Sequence, residues 1–255
     1  MKISHPTSVL ISFAALSVMI IFYVLTTVGM MGPNPVGQTG NYIEPLIIPE
    51  GYAFSIWGLI YLGLLVFPVY QLFREDRNSR DWIEIRLWYS ANVVANGVWL
   101  VCASYNWLWL SVIVIIFMLV SLHQIRRLFV QLAKDSNKLN YWTEQLVFSM
   151  YFAWITLATV LNVSSALNYY NWNGFGISDE QWTLIMLTAA AAITISVFWK
   201  FRDIAFGLVV IWAYVAVIVR HWTDYPAIAY LCLAVVLVFI TNIFLVARPR
   251  DQLGS

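Results

Sequence analysis

Residues 146–167 read LVFSMYFAWITLATVLNVSSAL, 22 positions without an Asp, Glu, Lys or Arg. An α-helix needs about 20 predominantly apolar residues to cross the hydrocarbon core of a bilayer. Seven further stretches have the same character: 9–31, 52–73, 85–103, 108–128, 182–201, 204–219 and 228–246. The chain has 255 residues, 61% hydrophobic and 11% charged, too little polar surface for a soluble domain of this size. The predicted fold is an all-α polytopic membrane protein, a bundle of about eight transmembrane helices. The third stretch is the least apolar, because Asn92 and Asn96 interrupt it. The sixth and seventh meet at Lys200, Phe201, Arg202 and Asp203 and read as a tight helical hairpin.

The cationic residues alternate from loop to loop. Lys2 precedes the first stretch, and Arg74, Arg77, Arg80 and, at the very start of the third stretch, Arg86 mark the junction of the second and third. Arg126, Arg127, Lys134 and Lys138 lie at or after the end of the fourth, Lys200 and Arg202 at or after the end of the sixth, and Arg248 and Arg250 after the last. The first, third and fifth loops have none, and Arg220 is the single exception on the opposite side. The positive-inside rule then puts both termini in the cytoplasm. The net charge of +1 gives no footprint for nucleic acid, so the bilayer is the expected partner. Cys102 and Cys232 fall inside apolar stretches and imply no disulfide framework. The first stretch is too long for the apolar part of a signal peptide and is kept as a helix of the fold.

The loop 32–51 holds Pro33, Pro35, Pro45 and Pro49 with four glycines, so it is not helical throughout. It reads either as a lid or as a slack connector. Segments 74–84 and 133–140 mix charges of both signs and read as solvated cytoplasmic turns. In 168–178, Tyr169, Tyr170, Trp172 and Phe175 alternate with Asn and Gly. That is the composition of an interfacial belt, or of a cap over a ligand pocket. No short internal repeat is visible.

Soluble-enzyme motifs are missing. There is no Gly-rich phosphate loop, no Cys-x-x-Cys and no His-Glu-x-x-His, and His5, His123 and His221 are too scattered for a metal site. No lysine or carboxylate stands mid-stretch, which argues against a Schiff-base chromophore and against ion-coupled transport. The apolar stretches hold amides and aromatics instead. Asn92, Asn96 and Trp99 share one face of the third helix, Trp57 and Tyr61 one face of the second, and Tyr151, Trp154, Ala158 and Asn162 one stripe of the fifth. From spacing alone, packing is the plainer reading, because interhelical polar contacts in membranes are common and worth only about 0.6 kcal/mol. A pocket for a flat apolar ligand needs the same mixture, stacking surface with a few orienting donors, and Ala158 leaves room beside Trp154.

These residues resemble the TspO/MBR family of tryptophan-rich sensory proteins. The run Tyr151-Phe-Ala-Trp154-Ile-Thr-Leu-Ala158-Thr159-Val-Leu161-Asn162 is similar to the family's fifth helix. Pro45 and Pro49 followed by Trp57-Gly58-Leu-Ile-Tyr61 resemble its first loop and second helix, and Asn96-Gly-Val-Trp99 its third helix. The chain departs from the pattern in three ways. Met150 replaces a proline, Val163 and Leu167 stand where a sterol motif needs Tyr and a basic residue, and three helices follow the usual five. The expected organisation is therefore a five-helix bundle over 1–170 with three additional transmembrane helices over 171–255.

The resemblance implies a pocket for porphyrins and other small planar hydrophobic molecules, closed by the first loop. Trp57, Tyr61, Asn96, Trp99, Tyr151, Trp154, Ala158 and Asn162 would line it. Sensing, transport and light-dependent porphyrin breakdown are the activities it suggests, with Trp154 the electron donor in the last case. No catalytic residue is assigned. No cofactor is required; a bound tetrapyrrole, a homo-oligomer and a scaffold without ligand are left open.

Overall fold

Pro68 stands inside a membrane helix, where it has no N–H to give the carbonyl of Leu64 four residues earlier. In hydrocarbon that carbonyl needs another donor. Tyr89 supplies it: its hydroxyl donates to Leu64 O at 2.7 Å. The computed structural model in which this bond is seen describes residues 4–34, 44–74, 79–134 and 139–248. Among them are eight long helices: α1 (His5–Thr27), α2 (Ile56–Gln71), α3 (Arg80–Ser104), α4 (Leu108–Lys134), α5 (Leu146–Tyr169), α6 (Asp179–Phe201), α7 (Ile204–His221) and α8 (Pro226–Ala247). Each coincides with one apolar stretch of the sequence.

Local chemistry sets the helix ends. Ser4, Ser79, Ser178 and Asp203 accept hydrogen bonds from the first turns of α1, α3, α6 and α7, and at α6 Gln181 completes a reciprocal capping box with Ser178. Only Arg202, in a left-handed conformation, and Asp203 separate α6 from α7, so the expected tight hairpin forms. Asn140 caps the π-helical turn Tyr141–Gln145 that leads into α5.

Seven of these helices are long and apolar enough to cross a membrane, α2 together with the 3-10 turn Gly51–Ser55 and α5 together with the turn Tyr141–Gln145; α3 is the exception. At 25 residues α3 is long enough, about 37 Å, but not apolar enough. Its flanking contacts explain the difference. It packs along α1 on one side and α4 on the other, and more than half of its positions are buried in protein rather than lipid. Gly97 permits the close approach to α1, since a Cβ there would lie 2.8 Å from the Phe22 ring and 3.2 Å from Met19 Cα.

The chain divides into two compact units, Met1–Ile43 with Trp57–Ile155 and Glu44–Ile56 with Thr156–Ser255. In the first, the sequence reading of 74–84 as a solvated turn is corrected at Arg74 and Trp82, which are buried, while Arg80 is exposed as expected. Arg74 Nη1 meets both oxygens of Glu144, at 2.6 and 2.8 Å, and its guanidinium lies 4.0 Å over the Trp82 ring. Glu144 is fully buried and also accepts from Gln71 Nε2 and the Asn140 amide. Arg86, also fully buried, donates to Gln71 Oε1 at 3.0 Å and to Ser8 Oγ at 2.9 Å. The flanking charges are thus interior because each is held by charge-assisted bonds. Glu144 stands at the start of the segment Tyr141–Tyr169, so this buried acid lies at a helix end and not mid-stretch.

In the second unit α7 packs on α8, and α6 on both. The chain before α2 is tied to α7. The Glu50 amide donates to Ala216 O, Trp212 Nε1 to Ala53 O, and His221 Nε2 to Leu46 O at 2.7 Å. Arg220 pairs with Glu44 at 2.8 Å, which neutralises the one cation that breaks the alternation. Residues 35–43 of the expected lid lie outside the described residues, as do Lys2, Arg77, Lys138 and Arg250. Asn242 bonds to Val238 O of its own helix.

Two outcomes follow. Tyr89→Phe strands the Leu64 carbonyl and lowers stability by about 1–3 kcal/mol, and far less in a Pro68→Ala background where Leu64 regains a helical donor. Equilibrium unfolding in mixed micelles of the four proteins measures the coupling. Glu144→Ala leaves Arg74 buried without its carboxylate and costs about 3–5 kcal/mol, much of which the double change to Arg74→Met and Glu144→Leu restores.

Candidate functional site

Six of the eight residues singled out in the sequence lie in the first unit, and they converge. Asn96, on the interior helix α3, is fully buried. Its Oδ1 accepts from the Tyr61 hydroxyl of α2 at 3.2 Å, and its Nδ2 donates to the Tyr151 hydroxyl of α5 at 2.8 Å. One carboxamide therefore ties three helices together. Such a group is costly to bury unless both of its ends are served.

Trp57 is the hub of the rings around this bridge. It lies 5.2 Å from Tyr61, 5.9 Å from Tyr151, 6.3 Å from Trp99 and 6.4 Å from Trp154, measured between centroids. Tyr151 and Trp154 meet it edge-on, at 67° and 84°, whereas Trp99 is stacked at 27°. Edge-to-face and offset pairs are the favoured arrangements of aromatic quadrupoles. Tyr23 of α1 adds an edge-on contact to Tyr61 at 5.4 Å. No reading of the sequence singled out Tyr23, since α1 carries no Trp or amide to mark one of its faces.

The helical spacing explains the convergence. Trp57 and Tyr61 are four apart on α2, Asn96 and Trp99 three apart on α3, and Tyr151 and Trp154 three apart on α5, so each pair shares a face. Ala158 and Asn162 continue the α5 stripe but belong to the second unit. Asn162 is buried there, and Ala158 is half-buried.

In this arrangement the rings touch one another. A flat macrocycle between Trp57 and Trp99 needs about 7 Å between the ring planes, two van der Waals contacts of about 3.5 Å. Entry of such a ligand must part this pair. The amide and hydroxyls offer a donor and acceptors at the edge of the same cluster.

A second polar contact of α3 serves as a comparison. Asn92 Nδ2 donates to Met118 O and to Ser121 Oγ of α4, at 3.1 and 2.7 Å. Asn96→Leu orphans two tyrosine hydroxyls and is expected to cost about 1–3 kcal/mol of stability. Thermal unfolding of Asn96→Leu beside Asn92→Leu measures it, and an unchanged midpoint for Asn96→Leu contradicts the bridging role.

Comparison with known proteins yields one match. The family described as TSPO-like protein matches residues 9–245, a span that runs from α1 through α8. No curated protein and no solved structure matches the chain. The matched span and the seven helices long and apolar enough to cross a membrane agree: this integral, multi-pass membrane protein belongs to the TSPO-like family.

Proposed function

We propose that the protein is a membrane receptor for a flat, apolar ligand of the porphyrin class, bound in the aromatic cluster of the first unit. The observation that supports this reading is the position of Trp57, which has ring neighbours from three helices beside a buried carboxamide. Indole faces give a macrocycle stacking area, and Asn96 with Tyr61 and Tyr151 gives its polar edge an orientation. Opening of the Trp57–Trp99 pair is the step that admits the ligand, and the displaced contacts set its energetic cost. Nothing in this chemistry calls for a resident cofactor.

The competing reading is a solid seam that only holds helices together. It draws on the same contacts, since both ends of the Asn96 amide are already engaged.

A porphyrin titration of the purified protein in micelles separates the two. Wild type is expected to bind saturably, with Trp57→Ala and Trp154→Ala weaker by roughly tenfold, about 1.4 kcal/mol of lost stacking. Asn162→Ala reports whether the continuation of the α5 stripe contributes. Equal affinity of wild type and both tryptophan variants removes the pocket; no binding above that of an unrelated membrane protein leaves the seam. Porphyrin flux into liposomes containing the protein, abolished by Trp154→Ala, would recast the receptor as a carrier.

A further inference from the structure

The second unit holds a cleft of about 40 Å³. A buried water needs roughly 10–15 Å³ by this measure, so the space takes about three waters or one compact headgroup. Its walls come from α5, from the loop that follows it, from the start of α6, and from Pro45 and Leu46. The loop carries no Lys or Arg, and the charge alternation puts this end of the helices outside the cytoplasm.

Ser164, in the α5 wall, is 2% exposed, and its Oγ has no hydrogen-bond partner. That is unusual in this molecule. Ser12, Ser17, Ser111, Ser121 and Ser196 all donate to a carbonyl three or four residues back along their own helices. A buried hydroxyl left unpaired costs about 1–3 kcal/mol. It marks a place where another polar group fits.

The other walls say what kind of group. Trp172 and Trp182 form a corner of two indoles, with centroids 4.5 Å apart and planes at 64°. Asp179, at the mouth, is exposed and makes no ion pair among the described residues. Capping of α6 does not occupy it, because Ser178 and Gln181 do that work. No Lys, Arg or His lines the cleft. Two π-faces, a carboxylate and a hydroxyl oxygen, with no cation among them, attract positive charge.

We infer that this cleft binds a primary alkylammonium group. Its N–H donates to Ser164 Oγ, its charge faces Asp179, and its methylene stem lies against the indoles of Trp172 and Trp182. A phosphatidylethanolamine headgroup and a free alkylamine share this chemistry. The site is separate from the aromatic cluster of the first unit and does not depend on it.

The test is fluorine NMR of the 5-fluorotryptophan-labelled full chain in maltoside micelles. Bulk fluorescence would not resolve two among 13 tryptophans. The Trp172 and Trp182 signals are assigned by single Trp→Phe changes. Ethylammonium is expected to shift both signals saturably, and about tenfold more weakly in Asp179→Asn, an exposed substitution that leaves the fold intact. Ser164→Ala should lower affinity for ethylammonium but not for tetramethylammonium, which has no N–H. Equal shifts with neutral 1-propanol, no effect of Asp179→Asn, or no titration at all would overturn the assignment. In nanodiscs, loss of the ethylammonium response with phosphatidylethanolamine but not with phosphatidylglycerol identifies the lipid as the source. An equal response in both identifies the free amine.

Discussion

A polar group in hydrocarbon has to find its partner within the protein, because the surrounding lipid offers none. That constraint organises the first unit. Pro68 removes a donor from α2, and the donor that replaces it comes from a neighbouring helix, through the hydroxyl of Tyr89. The bond fixes α2 against α3 at one height. Close by, Phe67, Tyr89 and Phe148 pack together, with centroids 4.9 to 6.4 Å apart, so the polar contact sits in an apolar setting where it is not exchanged for water.

The same constraint accounts for the place of α3 and for the candidate site. A helix with Arg86, Asn92 and Asn96 is poorly suited to face lipid, and this one is flanked by α1 and α4. Once α3 is interior, its amides become the natural junctions between helices. Asn92 joins it to α4, and Asn96 to α2 and α5. The aromatic cluster forms around the second junction because the flanking residues of all three helices are indoles and phenols. At the first junction the partners on α4 are the Met118 carbonyl and the Ser121 hydroxyl. What distinguishes a packing contact from a ligand-sized surface is therefore the company each amide keeps, not the amide itself.

Much of this was legible in the sequence. Run length gave the eight helices, and pairs three or four apart gave the faces on which Trp57, Tyr61, Asn96, Trp99, Tyr151 and Trp154 meet. The interior of Arg74, Arg86 and Glu144 was not legible. Charges beside apolar runs normally face water, and nothing in periodicity links positions as far apart as 74 and 144. Trp212 carries no signal in the sequence either, yet its indole N–H holds the backbone at Ala53 and its ring packs on Tyr52. Single-sequence reasoning detects which face a residue occupies; it does not detect which loop will lie across that face. Ser164 was equally silent, since an unremarkable serine becomes informative only when its hydroxyl is seen to lack a partner.

The pairing of Arg74 with Glu144 also bears on how the protein is made. The two are 70 residues apart in the chain. Helices enter the membrane in the order of synthesis, so the guanidinium emerges from the ribosome well before the carboxylate that will neutralise it. Until α5 arrives, the end of α2 has to stay in the headgroup layer, where Arg74 is hydrated and Gln71 and Arg86 are not yet enclosed. Assembly of the first unit is thus a late event, timed by the fifth helix rather than by the first pair to be inserted.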